Sequence, residues 1–144
     1  MSTPRILWFA AALTLVVGAG ACSSPTSPNG AFRTEVTLKP GEVTAIASTP
    51  LRVAFQRVET DSRCPINALC IQAGDALVAL RVSVNNGDGA EINLRTRGSA
   101  TTDHLTAEVA GYQLSIGGLQ PARITTSPPI EPGDYRLTLV IERD

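Results

Sequence analysis

The stretch FRTEVTLK, residues 32–39, sets Phe32, Thr34, Val36 and Leu38 against Arg33, Glu35, Thr37 and Lys39. Side chains of an extended strand point alternately to opposite faces, so a period of two fits a strand with one face in a core and one in water. PGE at 40–42 then turns the chain, because proline fixes φ and glycine takes a positive φ at little cost. The alternation recurs along the chain. A weaker strand is expected over Val43 to Ala47, and in LRVAFQRV (51–58) Leu51, Val53 and Phe55 turn inward against Arg52 and Gln56. DALVALRVSV (75–84) is apolar on both faces at first and then alternates, as a central strand does.

NNGDG (85–89) has the composition of a hairpin loop. AEINLRTR (90–97), HLTAEVA (104–110), YQLSI (112–116) and YRLTLVIE (135–142) repeat the two-residue period, and a proline-studded connection, QPARITTSPPIEPG, precedes the last of them. No segment sustains a period of 3.6. The one helical candidate, PINALCIQA (65–73) with Pro65 at the first helical position, amounts to a turn or two at most. Eight short strands with polar outer faces and Gly/Pro turns predict an all-β fold: an antiparallel β-sandwich of seven to eight strands, with a small β-barrel as the alternative. PGDYRLTLVIE (132–142) resembles a late strand of immunoglobulin-like domains. That resemblance implies an immunoglobulin-like sandwich in which Tyr135 bonds back to a nearby loop.

The sandwich is expected over 32–144, and what precedes it has another character. After Arg5, the apolar run from Ile6 to Ala21 is 16 residues long, short of the roughly 20 that span a bilayer as a helix. A positive start, an apolar centre and small residues before a cut site make a secretory signal, residues 1–21. Ala19, Gly20 and Ala21 before Cys22 resemble the lipobox of bacterial lipoproteins. The resemblance implies cleavage before Cys22 and lipidation of that cysteine, although the usual lipobox carries leucine where Ala19 stands. Two or more acyl chains anchor a protein stably where one holds only marginally. Residues 22–31 are then the lipidated cysteine and a tether rich in Ser and Pro. Ser23 after the cysteine, by analogy with lipoprotein sorting, places the chain on the outer membrane facing the periplasm, or at the cell surface.

With Cys22 lipidated, Cys64 and Cys70 remain in an oxidising compartment and are expected to form a disulfide. A redox pair favours C-x-x-C, and five residues separate this pair. A zinc site needs three or four soft ligands, and His104 is the sole histidine, on the polar face of its strand. Neither metal nor cofactor is expected. Asp61 and Arg63 are placed to form an ion pair at the loop mouth. The phrase DSRCPINALCIQAG (61–74) resembles a signature of small, uncharacterised bacterial lipoproteins, DSRCP, four residues, C, two residues, AG, in which a tryptophan often precedes AG. Gln72 stands at that position here, which puts an aromatic binding surface in doubt.

After cleavage, 13 acids face 11 bases, a net charge of −2, too balanced for a nucleic-acid partner. No G-x-S-x-G is present, and Ser99, Asp103 and His104 are neighbours in sequence rather than a triad defined by geometry. NNGDG lacks the spaced acidic ligands of a calcium loop. No catalytic residue is assigned. The expected function is a lipid-anchored, non-catalytic binding module for an envelope or extracellular protein or polymer, with Asp61, Arg63 and Gln72 on the loop as the candidate surface. The alternative is an inhibitor of extracellular proteases presenting a disulfide-pinned loop, although the Asn-Pro-Thr motif of chagasin-like inhibitors is absent. An envelope enzyme is third.

Overall fold

A computed structural model describes residues 31–97, 104–125 and 127–144. The signal segment, Cys22, the tether up to residue 30, and Ser99 and Asp103 lie outside the described residues. Eight strands follow in order: β1 (Phe32–Leu38), β2 (Val43–Ala45), β3 (Leu51–Asp61), β4 (Ala76–Val84), β5 (Ala90–Arg95), β6 (Thr106–Val109), β7 (Tyr112–Gln120) and β8 (Arg136–Arg143). A single 3-10 turn, Pro132–Asp134, precedes β8. Among the described residues no helix is long and apolar enough to cross a membrane.

Two four-stranded antiparallel sheets stack face to face, one ordered β1-β8-β7-β6 and the other β2-β3-β4-β5. No ladder joins β1 to β2 or β5 to β6, so the layers form a sandwich rather than a closed barrel. Each sheet runs through sequence neighbours, with β1 returning beside β8. This meander replaces the Greek-key connections of immunoglobulin domains, while the stacked-sheet architecture is shared.

The alternation read from the sequence is the alternation that packs. Leu38, Leu51, Val53, Phe55, Val78, Leu80, Leu94, Leu114, Leu137, Leu139 and Ile141 are buried side chains of one core between the sheets. No charged or polar residue is fully buried among those described. Two strands run past their expected ends. β3 continues from Val58 to Asp61 through register shifts at Phe55/Arg57 and Val58/Thr60, and β7 continues from Ile116 to Gln120 through a shift at Ile116/Gly118. A bulge places two residues against one and keeps the inward set inward beyond it. The extra length carries Asp61 and Leu119 to the same pole of the sandwich, where the loops 62–75 and 121–135 meet. The PINALCIQA stretch makes one turn, with the Ala68 N–H donating to the Pro65 carbonyl at 3.1 Å.

Candidate interaction surface at the cysteine loop

The loop 62–75 leaves β3 and returns to β4, and its neck is closed by hydrogen bonds. The Ser62 N–H donates to the Asp75 carbonyl at 2.7 Å, the Ser62 hydroxyl donates to the same carbonyl at 2.9 Å, and the Asp75 N–H donates to Ser62 Oγ at 3.2 Å. Gly74 makes this approach possible. A Cβ there would sit 1.7 Å from the Ser62 carbonyl oxygen, so no other residue fits without parting the two arms. Beyond the neck, a disulfide joins Cys64 and Cys70, whose Cα atoms are 6.1 Å apart.

Asp61 and Arg63 do pair, and the pair is more than a surface contact. Arg63 Nε and Nη2 hold the two carboxylate oxygens of Asp61 at 2.8 and 2.7 Å, with side chains only 10% (Asp61) and 16% (Arg63) exposed. Bidentate geometry of this kind is stronger and more directional than a single contact. The remaining guanidinium donors reach the opposite sheet and its outgoing loop, bonding the carbonyls of Leu119 and Pro121. Tyr135 at the entrance of β8 donates its hydroxyl to Asp61 Oδ2 at 3.1 Å. The back-bond expected of Tyr135 therefore lands on the mouth of the cysteine loop. Burial alone would push the Asp61 carboxyl up, but hydrogen bonds from the Arg63 side chain and backbone, the Arg63 charge and the Tyr135 hydroxyl outweigh it and hold the carboxyl below its usual range. Burial, and then the Asp61 charge, push the Tyr135 phenol up.

The outer half of the loop docks on the β7–β8 connection. The Ile66 N–H donates to the Arg123 carbonyl at 2.9 Å, Arg123 donates to the Arg63 carbonyl at 3.1 Å, and Asn67 Oδ1 accepts from the Thr125 N–H at 2.9 Å. The Ile66 N–H, the Arg63 carbonyl and Asn67 Oδ1 thus face the connection, and the loop's large apolar side chains do not. Leu69 and Ile71, flanking Cys70, are fully exposed, Ile66 is 72% exposed, and Ile124 on the neighbouring connection is 42% exposed. Beside them lies a groove of about 480 Å³ lined by Pro121, Ile124, Pro128, Pro129 and Ile130, with Arg123, Glu131 and Asp134 also on its walls. Leaving a large aliphatic side chain in water forgoes roughly 1.5–3 kcal/mol relative to full burial, and clustered exposure of this kind marks contact surfaces.

Of the residues singled out in the sequence, Asp61, Arg63, Cys64, Cys70 and Tyr135 converge here. Gln72 is exposed on the same loop and makes no side-chain hydrogen bond among the described residues. His104 stands apart, exposed at a positive φ of 67° before β6. Sequence reading missed Ser62, Gly74, Asp75, Asn67 and Arg123. Of these, Ser62, Asn67 and Gly74 lie in the phrase DSRCPINALCIQAG, and the missing Cβ of Gly74 is the signal that could have marked a close backbone approach. Among the described residues no group of three or more His, Cys, Asp or Glu could hold a metal ion. The chain matches no known protein family, no curated protein and no solved structure. Fold and surface together define an antiparallel β-sandwich that presents a disulfide-closed apolar loop.

Proposed function

We propose that this protein is a lipid-anchored binding module of the bacterial cell envelope, held through Cys22 and contacting a protein or polymer through its cysteine loop, without catalysis. The observation that supports this reading is the outward display of Leu69, Ile71 and Ile66 on a loop tied to the scaffold through Arg63, Ile66 and Asn67. A rigid loop loses little conformational freedom on binding, so its exposed side chains convert contact into affinity efficiently. The balanced charge of the exported chain fits a protein or neutral polymer better than a polyanion.

A second reading is an inhibitor of extracellular proteases, favoured by Leu69 and Ile71 projecting on either side of Cys70 from a convex, tied loop. Two measurements test the pair. Capture from envelope fractions by the wild type, but not by a Leu69→Asp/Ile71→Asp variant, is expected for the binding module; equal capture removes the loop from it. Slowing of any member of a panel of serine and cysteine proteases by the wild type alone selects the inhibitor reading. Intact mass of membrane-extracted protein tests the anchor: cleavage before Cys22 with added acyl mass is expected, and an unmodified Cys22 overturns it.

A further inference from the structure

The exposed knob and the groove beside it belong to the same pole, one a set of aliphatic side chains in water and the other a cavity of about 480 Å³ with an aliphatic wall. The knob is convex and aliphatic: Leu69 and Ile71, with Ile66 at its base. The groove is concave and walled by Pro121, Ile124, Pro128, Pro129 and Ile130. Their adjacency is fixed, because the Ile66–Arg123 and Asn67–Thr125 bonds join the loop carrying one to the connection carrying the other.

We propose that this pole is self-complementary, with Leu69 and Ile71 of one copy seated in the Pro121–Ile130 groove of a second copy and the reverse contact made across a twofold axis. The proposal rests on the reading that the cysteine loop is the contact surface, and it names the occupant. A surface that carries both a projection and its receptacle closes with two copies and leaves neither half unfilled, which is the logic of an isologous interface. The charges on the groove agree. Arg123 stands against Glu131 and Asp134, so both signs are present on one patch and can pair across a twofold. A patch built for an anionic bilayer would instead carry one sign, in clustered Lys and Arg.

The point of entry of the chain argues in the same direction. Residues 22–31 reach the fold at Phe32, which pairs with Arg143 at the far end of β8, whereas the cysteine loop sits at the Arg136 end. The strand between them has 8 residues, about 27 Å at the usual rise. The tether therefore joins the fold at the pole opposite Leu69 and Ile71, and the cysteine loop lies away from the point of attachment.

A photo-cross-linking residue, p-benzoylphenylalanine, placed at Ile71 of the full-length chain in the membranes of its expression host tests this. The expected product is an adduct of twice the chain mass whose cross-linked peptide contains residues 121–131 of a second copy. Ile124→Asp in the groove should reduce that product about tenfold or more, and the same probe at Thr37, on the outer face of β1, should give none. An adduct of Ile71 with a different protein overturns self-association and leaves the binding module standing. An adduct with lipid, or none at all, also overturns self-association, and the capture comparison with Leu69→Asp/Ile71→Asp then decides the binding module separately.

Discussion

Tyr135, at the entrance of β8 in one sheet, donates its hydroxyl to Asp61, the last residue of β3 in the other, at 3.1 Å. The bond ties the two layers at the pole where the cysteine loop begins, and Arg63 completes the tie by reaching from Asp61 to the Leu119 and Pro121 carbonyls. Tyr135→Phe should lower stability by about 2 kcal/mol, the usual loss for a hydrogen bond to a charged group. Asp61→Ala should lower it by about 3 kcal/mol, because it leaves the part-buried Arg63 without its counter-charge. The two losses should not add. On the Asp61→Ala background, Tyr135→Phe should have little further effect in urea unfolding, a coupling of about 2 kcal/mol. Additive losses would mean the two side chains act separately.

The same triad sets the pH response. The folded-state pKa of Asp61 lies below its unfolded value, so its contribution is present above the unfolded carboxylate pKa of about 3.9 and is lost as pH falls through the folded value. The folded-state pKa of Tyr135 lies above its unfolded value of about 10, so its contribution is present below that pH and is lost as pH rises through the folded value. Unfolding free energy measured against pH should fall on both limbs. Asp61→Asn should flatten the acid limb, and Tyr135→Phe the alkaline limb. An acid limb unchanged in Asp61→Asn would place the acid sensitivity in other carboxylates.

Gly74 is a spatial requirement of the loop neck. A methyl group there meets the backbone carbonyl of Ser62, which no rotamer change can relieve, so Gly74→Ala should cost about 2–3 kcal/mol, at the upper end for overpacking. It should also strip hydrogen-exchange protection from the Ser62 N–H, whose acceptor is the Asp75 carbonyl. Gly118 in β7 is the control: a Cβ there meets nothing within 4 Å, and Gly118→Ala should leave the Ser62 N–H protected. Equal protection of Ser62 in both variants would dismiss the neck as the site of strain.

The sandwich was legible because its alternation is long and its inward positions are aliphatic; Leu137, Leu139 and Ile141 needed nothing but a period of two. Strand ends were less legible. The alternation ends at Ile116, yet the chain bulges at Gly117, where a Cβ would fall 2.9 Å from Val140 Cγ2, and the strand continues to Gln120. The Asp61–Arg63 pair was visible from its spacing, but its burial was not, since the carbonyls that enclose it belong to residues 119 and 121, far along the chain. The exposure of Ile66, Leu69 and Ile71 was not legible in the sequence. The expected turn at Pro65 forms, but its apolar residues face water because the disulfide and the docked connection fix the loop from its polar side.

The disulfide is local in its effect, which separates the loop from the domain in a measurable way. It closes a ring of seven residues, Cys64 to Cys70, and the neck bonds between Ser62 and Asp75 lie outside that ring. No side chain of the ring belongs to the core, so opening it removes only the constraint on the unfolded chain, about 2.4 kcal/mol for a loop of this length. Cys70→Ser should therefore keep a single cooperative unfolding transition at lower denaturant, and the wild type should gain the mass of two hydrogen atoms on reduction. Leu69→Asp, with no buried contact to lose, should stay within about 0.5 kcal/mol of the wild type. Global unfolding of the Cys70→Ser variant would show instead that the ring holds the ends of β3 and β4 in register, and the loop could no longer be treated as an appendage carried by a finished fold.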